Sequence, residues 1–231
     1  MSENYVGYFR GRKTIQRSGV VGGARSVFVK LQGNKNELVY PTFGGEIKNP
    51  FKGPAKIFAG DLMEYRTDEN GLNPEIYVLK TYKVTHMEEG ISIENNGYRH
   101  IPFVGDKIAL VNAEGEAGEA ITITSVKETV LHNGAKVWGC GTDKAVSTSG
   151  VYVEVDADGE PYVKKVNAVA PTDLDMFDAP ATGDEDYDGA RYFYTPALGG
   201  LMYESKMSPV PEFAKKFNKC DVNGWFKIQS V

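Results

Sequence analysis

Asp184, Asp186 and Asp188 alternate ahead of Gly189. That spacing matches the first half of a calcium loop, in which alternate carboxylates converge on a hard cation and glycine makes the sharp turn. The match ends there, because the twelfth position of such a loop is Thr195 rather than a bidentate Glu. A solvated acidic loop is the competing reading, and calcium is the one cofactor the sequence suggests. Asp156, Asp158 and Glu160 also cluster, but Asp158-Gly159 reads as a hairpin turn that needs no metal. His86, His100 and His132 have neither HxxxH nor HExxH spacing and no nearby Cys, so they predict no zinc site, and His86 and His132 are expected at the surface. G-x-S-x-G, a phosphate loop and a G-x-G-x-x-G opening a helix are all absent. A carboxylate pair for glycoside hydrolysis depends on a separation that the sequence does not reveal. No catalytic residue is assigned.

A second group is basic. Arg10, Arg12, Lys13 and Arg17 interleave with Tyr5, Tyr8 and Phe9. Cations between aromatic rings can neutralise phosphates and stack on bases, or dock on an acidic protein surface. The charge distribution separates the two. Residues 1–60 carry ten basic and three acidic side chains, or +7, while the rest carry 16 basic and 28 acidic, or −12, so the formal net charge of −5 conceals a split. An acidic remainder repels a polyanion, so protein docking is expected and nucleic acid is not.

The elements that must position these residues are short strands. Residues 1–54 read as an extended basic arm, interrupted by glycines and by Pro41, Pro50 and Pro54, in which only residues 26–31 alternate well enough for a strand. Residues 55–168 read as a β-rich body. KIFAGDLMEY, EIYVLKTYKV, GISIEN, DKIALVN, AITITSVKETV, AKVWGC, GVYVEV and PYVKKVN are each rich in β-branched or aromatic residues and are separated by Gly, Asn and Asp turns. Asp158-Gly159 and Asn133-Gly134 predict two hairpins. Residues 169–231 read as an acidic loop, strands in GARYFYTP, GGLMYESK and NGWFKIQ, and a short helix in SPVPEFAKKFNK with Phe213 and Phe217 on one face, packing on the body. The predicted fold class is mainly β, a β-sandwich or small β-barrel with an extended N-terminal arm and a short C-terminal helix. No internal repeat with a period of 20 to 50 residues is evident.

Size and composition set bounds. A chain of 231 residues buries roughly 70% of its unfolded surface and needs no staples to fold. No apolar run approaches the ~20 residues that span a bilayer, and the start lacks the apolar stretch of a signal peptide. Cys140 and Cys220 are the two cysteines, which excludes a disulfide framework and predicts free thiols.

GPAKIFAGDLMEYR, EIYVLKTYKV, GYRHIPFVGDKIALV, DEDYDGARYFYTPALGG and VPEFAKKFNKCDVNGWFKI resemble segments of auxiliary capsid (decoration) and head-fibre virion proteins of Bacteroides-infecting, crAss-like tailed phages. These segments span residues 53–228 and leave the basic arm outside. The resemblance implies a non-enzymatic virion protein, made in the host cytoplasm, that binds the major capsid protein and neighbouring virion proteins on the phage head. It implies no membrane partner and carries over no catalytic residue, and a homo-oligomer is open. The arm, with Tyr5, Tyr8, Phe9, Arg10, Arg12, Lys13 and Arg17, is the expected capsid-binding element. The alternative is a head-fibre protein or fibre-attachment adaptor that binds glycans. A fibre shaft needs a repetitive or heptad sequence, which places decoration first.

Overall fold

The computed structural model describes residues 41, 43–51, 55–88, 90–95, 100–131, 134–176, 192–198 and 207–215, and the backbone of strands within 6–15, 200–203 and 220–229. In chain order the strands are β1 (Val6–Phe9), β2 (Arg12–Ile15), β3 (Gly45–Ile47), β4 (Ala55–Ile57), β5 (Leu62–Arg66), β6 (Glu75–Val78), β7 (Thr81–Met87), β8 (Gly90–Asn95) and β9 (Lys107–Leu110). They continue with β10 (Ile121–Val130), β11 (Lys136–Thr142), β12 (Gly150–Glu154), β13 (Ala168–Val169), β14 (Leu174–Met176), β15 (Phe193–Tyr194), β16 (Gly200–Tyr203), β17 (Cys220–Asp221) and β18 (Gly224–Gln229). The fold is mainly β, as the alternating runs predict. Among the described residues the helix is one turn, α1 (Glu212–Lys215), opened by Pro211, whose carbonyl accepts from the Ala214 N–H at 3.0 Å.

The chain forms two compact units. One holds Met1–Val78, Lys165–Met207 and Phe217–Val231, and the other holds Leu79–Lys164 and Ser208–Lys216. These divisions fall elsewhere than at 54 and 168. β3 lies inside the stretch read as an arm, yet it pairs in parallel with β6 and antiparallel with β15.

In the first unit five strands run in the order β13-β5-β6-β3-β15. Val169 and Ala197 exchange two backbone hydrogen bonds, at 2.9 and 2.8 Å, so the chain just past β15 joins edge strand β13 and the sheet curls on itself. Ile57, Met63, Ile76, Val78, Leu174 and Tyr194 are in its core. The second unit is a closed six-stranded barrel, β10-β11-β8-β7-β12-β9, with every pair antiparallel. Alternate residues of its strands, among them Tyr82 and Val84, Ile91 and Ile93, and Ile121 and Ile123, fill the barrel.

Two predicted strands are broken by local chemistry. KIFAGDLMEY splits into β4 and β5 at Phe58-Ala59-Gly60-Asp61. Gly60 adopts φ +91°, and the Asp61 carboxylate accepts the Phe58 N–H at 2.8 Å. Phe103-Val104-Gly105-Asp106 is the same device in the barrel, with Gly105 at φ +88° and the Asp106 carboxylate accepting the Phe103 N–H at 2.8 Å. Each turn is docked alike. The glycine N–H donates to a neighbouring carbonyl and the aspartate carbonyl accepts from the same residue, Ala170 for the first turn and Ile123 for the second. EIYVLKTYKV splits into β6 and β7 at Leu79-Lys80, where the chain passes from one unit to the other.

Three five-residue turns also share one design. Asp68, Asn112 and Asp156, at intervals of 44 residues, each accept two backbone N–H groups on a side-chain oxygen, from residues two and four places on. The fourth residue of each is a glycine with positive φ, Gly71, Gly115 or Gly159. A period is therefore present in the turns, whereas the strand sequences between them do not repeat. The hairpin predicted at Asp158-Gly159 forms only as a bridge, Val155 to Pro161, since a proline has no N–H to continue a ladder. The hairpin predicted at Asn133-Gly134 is present in that β10 pairs with β11 and Gly134 has φ +80°, while Asn133 lies outside the described residues.

Candidate functional site

The arm residues divide. β1 and β2 pair antiparallel, Val6 with Ile15 and Phe9 with Arg12, and so place the backbone of Tyr8, Phe9, Arg12 and Lys13 in one hairpin. Tyr5, Arg10 and Arg17 lie outside the described residues, as do Asp184, Asp186 and Asp188, His132 and the strand expected over 26–31. His86 is exposed on β7, and its N–H donates to Ser149 Oγ at 2.9 Å. Among the described residues no three His, Cys, Asp or Glu side chains converge to hold a metal ion.

A different set of ionisable side chains meets inside the barrel. β7 and β12 are neighbours, with Val153 opposite Thr81. One step further, the Glu154 N–H donates to the Lys80 carbonyl at 3.1 Å. Lys80 and Tyr82 share one phase of the strand alternation, and so do Tyr152 and Glu154. Because Tyr82 and Tyr152 point into the core, the two charges on the same phase are carried inward with them. Lys80 Nζ donates to Glu154 Oε1 at 2.9 Å and lies 2.7 Å from Oε2. The nearer oxygen is off the hydrogen-bond direction, so the pair is an ion-pair contact with one directional bond. The two side chains are 8% and 7% exposed. Charges so nearly dry survive only as partners.

The surroundings add more groups. Asp106 and His100 are buried, and both influence Glu154 electrostatically. Burial is the largest cause of a Glu154 carboxyl held above its ordinary value; Lys80 opposes the shift, Asp106 adds to it, and His100 opposes it last. Burial, and then the charges of Glu154 and Asp106, push the Tyr82 phenol well up. Tyr162 is pushed up to about 12 by burial first and then by Glu154, Asp156 and Asp106. Thr81 Oγ1 is buried with no hydrogen-bond partner among the described residues. A dry site favours neutral over charged forms, which is the sense of the upward shift at Glu154. The arrangement holds an amine against both oxygens of a buried carboxyl group.

Sequence reasoning missed this cluster. The signal available was a charge on the inward phase of a strand, in VLKTY and in VYVEV. What joins the two segments is a strand pairing across more than 70 residues, which no local pattern encodes. Among the cysteines, Cys140 is a free, buried thiol that donates to the Trp138 carbonyl at 3.7 Å. Cys220 lies in β17, whose backbone alone is described. No protein-family model, no curated protein and no solved structure matches this chain.

Proposed function

We propose that the chain is a non-enzymatic structural protein of a tailed-phage head, an auxiliary protein whose basic arm binds the major capsid protein. The observation that supports this best is the β1–β2 hairpin. Among the described strands these two pair only with each other, and a lone two-stranded hairpin is marginal in water. It lies in the +7 segment of a chain whose remainder is −12. A cationic hairpin of that kind gains stability by docking, through main-chain hydrogen bonds and opposite charge, on an acidic neighbour. Repetition over a symmetric shell would sum weak contacts by avidity.

Deleting residues 2–35 and measuring co-sedimentation with capsids tests the reading. Loss of binding is expected, and undiminished binding would remove the arm from the mechanism. A glycan array separates this reading from the head-fibre alternative, which predicts hits where the capsid reading predicts none.

A further inference from the structure

The Lys80–Glu154 contact has the makings of a covalent bond. We propose that Lys80 and Glu154 form an intramolecular isopeptide bond inside the barrel, with Asp106 as the acid–base group that assists it. Four observations support the proposal, and none depends on the virion reading.

The first is distance. Nζ is within 3 Å of both carboxyl oxygens, at 2.9 and 2.7 Å, so the carboxyl carbon between them is in contact with the nitrogen. Reacting atoms at roughly 3–3.5 Å meet the distance condition for attack, and a turn of the Glu154 carboxyl about Cγ–Cδ presents its face to Nζ. The second is dryness, because side chains 8% and 7% exposed exclude the water that would otherwise compete with the amine and hydrolyse the product. The third is a further carboxylate, Asp106, buried and close enough to act on Glu154 electrostatically. One of its carboxylate oxygens, Oδ2, accepts the Phe103 N–H at 2.8 Å, which fixes the position of the carboxylate. The fourth is topology. Lys80 immediately precedes β7, the first strand of the barrel, and Glu154 ends β12, the last, and the two strands are paired neighbours. A bond between them would join the barrel's first strand to its last.

The step balances without an oxidant or other co-reactant. A proton passes from the ammonium to the carboxylate, and the neutral amine attacks the carboxyl carbon. The Nζ–Cδ bond forms, and a Cδ–O bond breaks. The departing oxygen carries away two protons as water, with Asp106 relaying a proton from nitrogen to oxygen.

The test is mass spectrometry of the full-length chain, denatured after folding. The expected mass is lower than the sequence mass by one water, and trypsin should yield residues 67–83, uncut after Lys80, joined to residues 145–164. Lys80→Met and Glu154→Ala should each restore the unmodified mass. Asp106→Asn should slow the loss of water over time after refolding, with the conservative Asp106→Glu restoring part of the rate. Separate, unlinked peptides from the folded wild-type chain would overturn the proposal. Loss of water that persists in Lys80→Met would overturn it as well.

Discussion

Lys80 and Glu154 illustrate how unequal the two halves of a buried ion pair can be in their effects. Removing one partner leaves the other charge dry and unmatched, so Lys80→Ala should cost roughly 3–5 kcal/mol in denaturant unfolding. Replacing both with Lys80→Met and Glu154→Leu removes the unmatched charge and should be less destabilising than Lys80→Ala, and the loss that remains measures the proposed cross-link. Cys140 provides a cleaner probe of the barrel. Burial, and then the charge of Asp106, pushes its thiol up to about 12, and the residue is 2% exposed. A thiol reagent at pH 8 should therefore label it only as fast as the barrel opens, and rapid labelling in the native state would contradict the core described above. Tyr162 gives a pH test. Its unfolded phenol loses a proton near its ordinary value of 10.0, while the native one holds it up to about 12. Across that window the native state binds more protons, so its contribution to stability is full below pH 10 and is lost as pH rises toward 12. Tyr162→Phe should make the alkaline decline shallower, measured as unfolding free energy over a pH series. Cys140 was legible in sequence as a free thiol, but Lys80, Glu154 and Tyr162 did not stand out, because burial of a polar side chain depends on which distant strand lies beside it.

The elements were more legible than the residues, and the places where they broke are instructive. β-branched alternation identifies GISIEN, DKIALVN and AITITSVKETV as strands, and β8, β9 and β10 follow those runs closely. KIFAGDLMEY fails as one strand because Gly60 turns with positive φ and Asp61 satisfies the amide left behind, a four-residue event inside an otherwise apolar run. PYVKKVN fails beyond its first residue, where Pro161 ends the hydrogen bonding. The two Phe-x-Gly-Asp turns make a matched prediction. Gly60→Ala and Gly105→Ala should each cost about 1–2 kcal/mol, because a Cβ is strained at their φ. Asp61→Ala and Asp106→Ala should each cost about 1–3 kcal/mol by orphaning a phenylalanine amide. If one turn proved indifferent while the other did not, the shared hydrogen-bond pattern would not be what sustains it.

For the whole molecule, the charge split was readable from composition alone, whereas the division into units was not. A single run, EIYVLKTYKV, serves both units, so no linker or change of composition marks the boundary at 78. On the proposed docking of the arm, raising ionic strength should weaken its attachment to capsids while the unfolding midpoint of the body stays nearly constant, because exposed charges are screened and apolar cores are not. Co-sedimentation and denaturant melts across a salt series would measure both. The pairing of β7 with β12 has a mechanical consequence. The chain runs into the barrel at the start of β7 and out at the end of β12, and in an antiparallel pair those two points lie at the same end. Tension applied through residues 78 and 165 would peel the two strands apart one rung at a time, the weak direction for a sheet, instead of shearing all the rungs together. Among the rungs that join β7 to β12, the one at Lys80 and Glu154 would open first, so whatever joins them sets the force at which that pair begins to peel.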